Sequence, residues 1–343
     1  MYHPRLKGGH YEIGLHFGKM LKKQHVDFYK LIDLNRFQKD FGAKSQKILS
    51  EVFPEVCDEI RGITDGLNFS YEEFASWLLC MGCCHDLHGC TTFCFTKNGN
   101  VIYGRNNDLP PFLKKASKSV LYKLDSGYSF IGNTSSMINF EEGLNEYGLA
   151  VAMEFIVPTF IVPGINSVFL VRYLLEKCAT TKEAINALKS LPIASACSII
   201  LADKVGDMAV AECTPKNIFF REPASDDNFI VAANHFISRE MTCYNACLIF
   251  SSDIRYQTAY DALKNVDYIN GIEHAENILS GKHGFMCQYH RVLNFDTIWS
   301  SVFNISNGKI YRAEGNPSRI EFKEDNRTNK ITFKRNYRSL RET

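Results

Sequence analysis

From His10 to about position 88 the apolar residues recur every three or four positions, the spacing of one helix face. From Cys90 onward they fall into short alternating or continuous runs, the pattern of strands. The spacing predicts a helix from His10 through Leu21. Gly14 and Gly18 share one face of it, which suits close approach of another backbone at a propensity cost of about 1 kcal/mol each against Ala. A further helix is predicted from Ala43 to about Ile63, ended by the turn Asp65-Gly66-Leu67-Asn68. Ser70-Tyr71-Glu72-Glu73 then fits a capping box with Ser70 as N-cap, and Phe74, Trp77, Leu78 and Met81 form the stripe of the helix it opens.

After Cys90 the pattern predicts strands over Thr91–Thr96 and Val101–Arg105, joined at Lys97-Asn98-Gly99-Asn100, an Asn-Gly hairpin signal. More strands are expected near 119–124, 128–133, 137–142 and 148–156, then helices near 166–178 and 181–189. Strands follow near 196–202, 208–213, 218–221 and 229–233, and helices near 252–264 and 271–279. The C-terminal part reads as strands near 297–304, 309–313 and 319–322, and a charged tail with a last strand at 330–334. No repeat, low-complexity tract or linker interrupts this order. One compact catalytic body with a helical N-terminal part packed against it is expected, divided as 1–89 and 90–343.

Composition narrows the function classes. The net charge is +1 and no basic run stands out, so nucleic acid and an anionic membrane surface are not expected partners. The first nine residues lack the apolar core of a signal peptide, and no stretch of about 18 apolar residues could span a bilayer. A cytoplasmic protein is expected, with its 12 cysteines as thiols.

The chemistry centres on His88-Gly89-Cys90-Thr91-Thr92-Phe93, where the period changes. A thiol attacks well only as thiolate and needs a base. An N-terminal residue carries its own base, an α-amine titrating near pH 7.7–8. Cys90 acquires one if its thiol attacks the Gly89 carbonyl, forming a thioester that water hydrolyses and so cutting the chain between Gly89 and Cys90. Gly89 suits that place because it tolerates unusual backbone angles and leaves its carbonyl open. Taken alone, a cysteine is more often a small buried hydrophobe. Two rival readings stand beside the nucleophile. Cys80, Cys83, His85, His88, Cys90 and Cys94 invite a structural zinc site, although Cys80 and Cys83 fall in a predicted helix. A papain-like protease would take His235 or His290 as its base.

Gly89-Cys90-Thr91-Thr92-Phe93, Gly104-Arg105-Asn106-Asn107-Asp108 and Gly143-Leu144-Asn145-Glu146-Tyr147-Gly148-Leu149-Ala150 resemble the self-processing N-terminal-nucleophile enzymes. The isopenicillin N (acyl-coenzyme A:6-aminopenicillanate) acyltransferase family is the closest group. Choloylglycine hydrolases and penicillin V acylases are more distant. Gly9-His10-Tyr11-Glu12-Ile13-Gly14, Ala232-Ala233-Asn234-His235-Phe236, Thr297-Ile298-Trp299-Ser300-Ser301 and Gly315-Asn316-Pro317 extend the resemblance over residues 8–322. It implies an α+β fold, a four-layer αββα sandwich with an added N-terminal helical segment.

The implied activity is hydrolysis of, or acyl transfer from, a linear amide C–N bond of a small N-acyl compound through a Cys90 thioester, with no metal or organic cofactor. Cys90 would be nucleophile and, through its freed amine, base. Arg105 would favour the thiolate, Asp108 would accept a hydrogen bond from the amine or thiol, and Asn234 would donate its amide to the oxyanion. Bile salt hydrolases begin at their nucleophile, unlike this chain. Glu154 stands where choloylglycine hydrolases place an oxyanion-hole Asn; as an ionised acceptor it would instead meet an amine-bearing part of the substrate. Arg255 matches a site arginine of the relatives. Acyl-coenzyme A as acyl donor and a homo-oligomer stay open as partners.

Overall fold

The computed structural model describes residues 1–84, 88–265, 269–290, 292 and 294–330. The N-terminal helices are α1 (His10–Lys23), α2 (Phe28–Leu31), α3 (Arg36–Val52), α4 (Pro54–Leu67) and α5 (Tyr71–Cys80). The single helix predicted over Ala43–Ile63 is thus two. Pro54 has no N–H to continue α3, but its fixed φ suits the first position of α4, and Phe53 makes the break at φ −141°, ψ 64°. Asn68 ends α4 in the left-handed conformation, where the sequence places a turn. The Ser70 hydroxyl accepts from the Glu73 amide at 3.3 Å, as the capping motif predicts. Helix α5 stops at Cys80, because Gly82 turns the chain at φ +69°.

The strands and remaining helices follow as β1 (Arg5–Gly8), β2 (Gly89–Lys97), β3 (Asn100–Leu109), β4 (Lys118–Leu124), β5 (Phe130–Thr134), β6 (Glu142–Asn145), β7 (Leu149–Phe155), α6 (Ser167–Lys177), α7 (Thr181–Leu188), β8 (Cys197–Asp203), β9 (Met208–Cys213), β10 (Ile218–Arg221), β11 (Phe229–Ala232), α8 (Ser252–Asn265), α9 (Gly271–Leu279), β12 (Tyr289–His290), β13 (Phe295–Asn304), β14 (Lys309–Ala313) and β15 (Lys323–Glu324). One sheet runs β1-β4-β5-β6-β7-β8-β9-β10. The other runs β11-β2-β3-β13-β14-β15, with β12 paired to β13.

Two predicted strands differ from these bounds, a third falls almost wholly outside the described residues, and one strand was not predicted. The strand expected over 137–142 begins only at Glu142, because Met137 takes a left-handed turn conformation at φ 52°. The segment 319–322 is not a strand; β15 comes after it. Lys330 ends a 3-10 turn begun at Asn326, and 331–334 lie outside the described residues. Strand β1, which pairs in parallel with β4, was not legible in a four-residue segment with one buried apolar position, Leu6.

The layers follow from what each face buries. Cys94, Tyr103, Ile230 and Phe303 of one sheet meet Leu121, Ile131, Ala150 and Ile200 of the other. The outer face of the β2–β3 sheet packs Phe93, Phe95 and Ile102 on Ala259, Ala262 and Ile278 of α8 and α9. The outer face of the other sheet packs Val151, Met153 and Ile199 among residues of α1, α4, α5, α6 and α7. Helix, sheet, sheet and helix are stacked in the predicted α+β arrangement.

The N-terminal helices belong to one outer layer and are tied to the rest. A Cβ at Gly14 would stand 2.0 Å from the Glu59 carbonyl oxygen, and one at Gly18 2.2 Å from that of Ile63. Gly62 and Gly66 of α4 return the contact against Tyr11 and Leu15. The two glycines of α1 therefore serve the close helix crossing that their spacing predicts. Below it, Arg172 of α6 donates to Glu59 of α4 at 2.6 Å and pairs with Glu176, which His10 of α1 meets at 2.9 Å. Tyr122 of β4 donates to Glu59 at 2.6 Å. These groups are buried, so each charge depends on its partners.

Candidate active site at Cys90

Asn98 and Gly99, both with positive φ, turn β2 directly into β3 with Lys97 opposite Asn100. That turn sets the register of the whole hairpin. It places Cys90 opposite Asn107, Thr92 opposite Arg105, and Gly89 opposite Asp108. Strand alternation then sorts the side chains. Cys90, Thr92, Arg105 and Asn107 lie on the face that meets the other sheet, the face of Cys94 and Tyr103. Asp108 and Thr91 lie on the face toward α8 and α9.

On the inter-sheet face, Arg105 Nη2 donates to Cys90 Sγ at 3.0 Å and to the Met153 carbonyl at 2.9 Å. Its Nη1 donates to Asn107 Oδ1 at 2.8 Å. The Cys90 thiol is 3.5 Å from the same Oδ1. Asn107 Nδ2 is buried without a hydrogen-bond partner. Because Arg105 can only donate, it fixes which end of the Asn107 amide faces it. Glu154 reaches across from β7, on the face of Ala150 and Ala152. Its carboxylate is 3.6 Å from Arg105 Nε and accepts from the Thr92 hydroxyl.

On the other side, Asn234, two residues beyond β11, accepts the Cys90 backbone N–H on Oδ1 at 2.8 Å and Arg255 Nη2 on the same oxygen at 2.7 Å. Its Nδ2 donates to the Phe155 carbonyl at 2.8 Å. Arg255, on α8, also donates to the Cys90 carbonyl and the Thr91 hydroxyl. Asp108 accepts from the Thr297 hydroxyl on Oδ1 at 2.5 Å; its Oδ2 is buried without a hydrogen-bond partner and has Arg255 Nη1 at 3.8 Å. Cys90, Arg105, Asn107, Asp108, Glu154, Asn234 and Arg255 are all fully buried.

Burial sets the protonation. It pushes the Cys90 thiol well above its usual range; Arg105 pulls the other way, and Glu154 and Asp108 add to the rise. Burial likewise raises Glu154 to about 7 and Asp108 to about 6, each opposed first by its arginine, Arg105 for Glu154 and Arg255 for Asp108. The continuous chain therefore holds a protonated, closed-over thiol beside a fixed cation.

The structure brings every sequence-predicted site residue to this one place, but it alters four expectations. Cys90 N–H meets Asn234 rather than Asp108. The Asn234 amide nitrogen is engaged by Phe155 rather than open. Glu154 is buried against Arg105 rather than standing open to an amine-bearing part of a substrate. Gly89 does not use a left-handed conformation; it sits in a tight place, where a Cβ would stand 3.1 Å from Asp108 Cβ and 3.2 Å from the Phe295 ring.

Asn107, Thr92 and Thr297 had no assigned role, although the hairpin register and the Thr297 motif point to them. For the rival readings, His235 bonds Ser252 at 2.6 Å, and His290 is exposed on β12. Cys80 closes α5 and Cys83 follows in a turn, so the pair does not share a helix. His85 lies outside the described residues. Among the described residues no three potential ligands gather to hold a metal.

The family model of acyl-coenzyme A:6-aminopenicillanic acid acyl-transferase matches residues 94–319. The chain belongs to that family. Within the match lie Arg105, Asp108, Glu154, Asn234 and Arg255, and Cys90 stands four residues before it. A search of the curated proteins finds no match. Three solved structures are similar to this family member. The Caenorhabditis elegans N-acylethanolamine-hydrolyzing acid amidase ortholog is 21% identical, over 63% of this chain and 93% of that one, with a TM-score of 0.48. Penicillin V acylase from Agrobacterium tumefaciens is 18% identical, over 66% and 83%, TM-score 0.47. The conjugated bile acid hydrolase from Clostridium perfringens, in a mutant form, is 16% identical, over 69% and 96%, TM-score 0.46. Among the described residues no helix is long and apolar enough to cross a membrane.

Proposed function

We propose that the chain cuts itself between Gly89 and Cys90 and then acts on a linear amide C–N bond of a small N-acyl compound, passing the acyl group through a Cys90 thioester to water or to an amine. The observation that carries this reading is Arg105 Nη2 at 3.0 Å from Cys90 Sγ, inside a closed set of two arginines, two carboxyls and two amides.

In the first step the thiol adds to the Gly89 carbonyl carbon. Its proton passes to the Cys90 nitrogen as the peptide C–N bond breaks. Water then hydrolyses the thioester, leaving a Gly89 carboxylate and a free Cys90 amine. Residues 1–89 and 90–343 become two fragments. They remain joined by Arg172 and Tyr122 of the second fragment on Glu59 of the first, and by His10 of the first on Glu176 of the second.

In turnover the amine takes the thiol proton, and the thiolate attacks the substrate carbonyl beside Arg105. Asp108 Oδ2, buried without a hydrogen bond although Arg255 stands 3.8 Å away, offers an acceptor to the new ammonium group. Asn107 Nδ2, on the thiol's own face and likewise unpartnered, is a donor for the oxyanion. Asn234 Nδ2 joins it once it leaves the Phe155 carbonyl. Collapse expels the amine with the proton held by Cys90 nitrogen. Water or a second amine then releases the acyl group.

The test is covalent. A series of acyl nitroanilides of increasing chain length is mixed with the protein and quenched early. An acyl group on the Cys90 peptide, absent in Cys90→Ala, is expected. Iodoacetamide should label Cys90 ahead of the other cysteines with loss of activity. Activity that survives in Cys90→Ala would overturn the reading.

A further inference from the structure

We infer that the stretch from Lys19 to Lys39 is a docking surface for an anionic lipid membrane. The link between α1 and α3 is pinned to the fold by a few apolar residues. Phe28 packs on Phe69, Phe74 and Trp77 at ring distances of 6.2, 5.6 and 6.4 Å, and Leu34 is buried. Other large apolar side chains of the stretch point outward. Val26 is 37% exposed, Leu31 50%, Phe37 58% and Tyr29 75%. In a water-facing link this is an unusual concentration of apolar surface within a dozen residues.

Charge says what covers it. Lys19 to Lys39 carries six basic residues against two acidic ones, in a chain whose net charge is only +1. Lys30 pairs with Asp27 at 3.5 Å and Lys39 with Glu73 at 4.0 Å. Lys19, Lys22, Lys23 and Arg36 are exposed and form no ion pair among the described residues. Lys19, Lys22 and Lys23, with His16 and Met20, rim a shallow depression of about 380 Å³. Exposed apolar side chains flanked along the chain by lysines match an interface whose headgroups are anionic and whose next layer is hydrocarbon. A second copy of the chain would bring two such basic surfaces together. A nucleic acid would satisfy the lysines and leave Val26, Leu31 and Phe37 in water. The whole-chain charge, which speaks against a membrane partner, averages over this segregation.

The experiment is co-sedimentation of the full chain with vesicles of phosphatidylcholine alone, and of phosphatidylcholine with about a quarter phosphatidylserine. Binding to the mixed vesicles is expected. It should weaken steeply as salt approaches about 0.5 M, where the screening length falls to about 4 Å. Lys22→Gln with Lys23→Gln should weaken binding by about 30-fold, from about fivefold per cation. Leu31→Ser with Phe37→Ser should weaken it at least tenfold by the transfer term, about 1.4 kcal/mol or more. All four side chains are exposed, and an unchanged melting temperature checks that the variants fold. Equal binding to both vesicles, no binding, or variants that bind as the parent does would overturn the inference. So would self-association without lipid that Leu31→Ser abolishes, or RNA binding without vesicle binding.

Discussion

Replacing Glu154 by Gln separates the electrostatics of the site from its shape. In the folded chain this carboxyl sits at about 7, against 4.5 for an ordinary glutamate, because burial outweighs the attraction of Arg105. The folded state therefore holds the proton more tightly than the unfolded state between those values. The stabilisation is fully present below pH 4.5 and is lost as pH rises through 7. The gap corresponds to about 3 kcal/mol. A glutamine at 154 keeps an acceptor for Thr92 and does not titrate. Asp108, raised to about 6, drifts in the same sense in both proteins and cancels from the comparison. Urea unfolding of parent and Glu154→Gln at a series of pH values from 4.5 to 7.5 should show the parent losing about 3 kcal/mol more stability across the range. The substitution also removes a negative charge that raises the Cys90 thiol and leaves Arg105 less neutralised. Alkylation of Cys90 at fixed pH should therefore be faster in the variant. Identical pH slopes, or slower alkylation, would refute the assignment of Glu154 as a buried carboxyl set against Arg105.

Three further outcomes are expected. Asn107→Leu should lower kcat by about 100- to 1,000-fold with little change in KM if its amide meets the oxyanion, while self-cleavage, whose oxyanion lies on the Gly89 carbonyl, proceeds; single-turnover rates and the cleaved fraction report the two. Asn234→Ala removes the acceptor for the Cys90 N–H and Arg255 together with the donor to Phe155, so both cleavage and turnover should fall, and Asp108→Asn should leave uncut precursor as well. Gly14→Val forces a side chain into the Glu59 carbonyl, 2.0 Å from where its Cβ would stand, and should cost more than about 3 kcal/mol by thermal or urea unfolding.

Much of the site was legible because local signals set it. The Asn98-Gly99 turn fixes which residues of two strands face one another, so the pairing of Cys90 with Asn107 and of Thr92 with Arg105 lay within reach of the sequence, although the role of Arg105 came from the family resemblance and Asn107 was given none. The order of the Cys90, Arg105–Asp108 and Asn234 motifs carried the family resemblance. What could not be read depends on contacts between distant elements. Glu154 meets Arg105 only because β7 faces β2 and β3 across the sandwich, and Arg255 reaches Cys90 from α8. Whether the Asn234 amide is open is decided by where the Phe155 carbonyl lies, which no spacing records. Strand β1 is too short to have a period. The break between α3 and α4 was written in Pro54, but the apolar spacing ran through it.

The most direct measurement is the intact mass of the purified protein beside that of Cys90→Ala. The account predicts that the 39.1 kDa chain resolves into pieces of about 10 and about 29 kDa, in proportion to length. The larger should begin at Cys90, and the two should leave a sizing column together. Cys90→Ala should remain a single species of 39.1 kDa. A fully active preparation whose only species is the uncut chain would contradict the central claim.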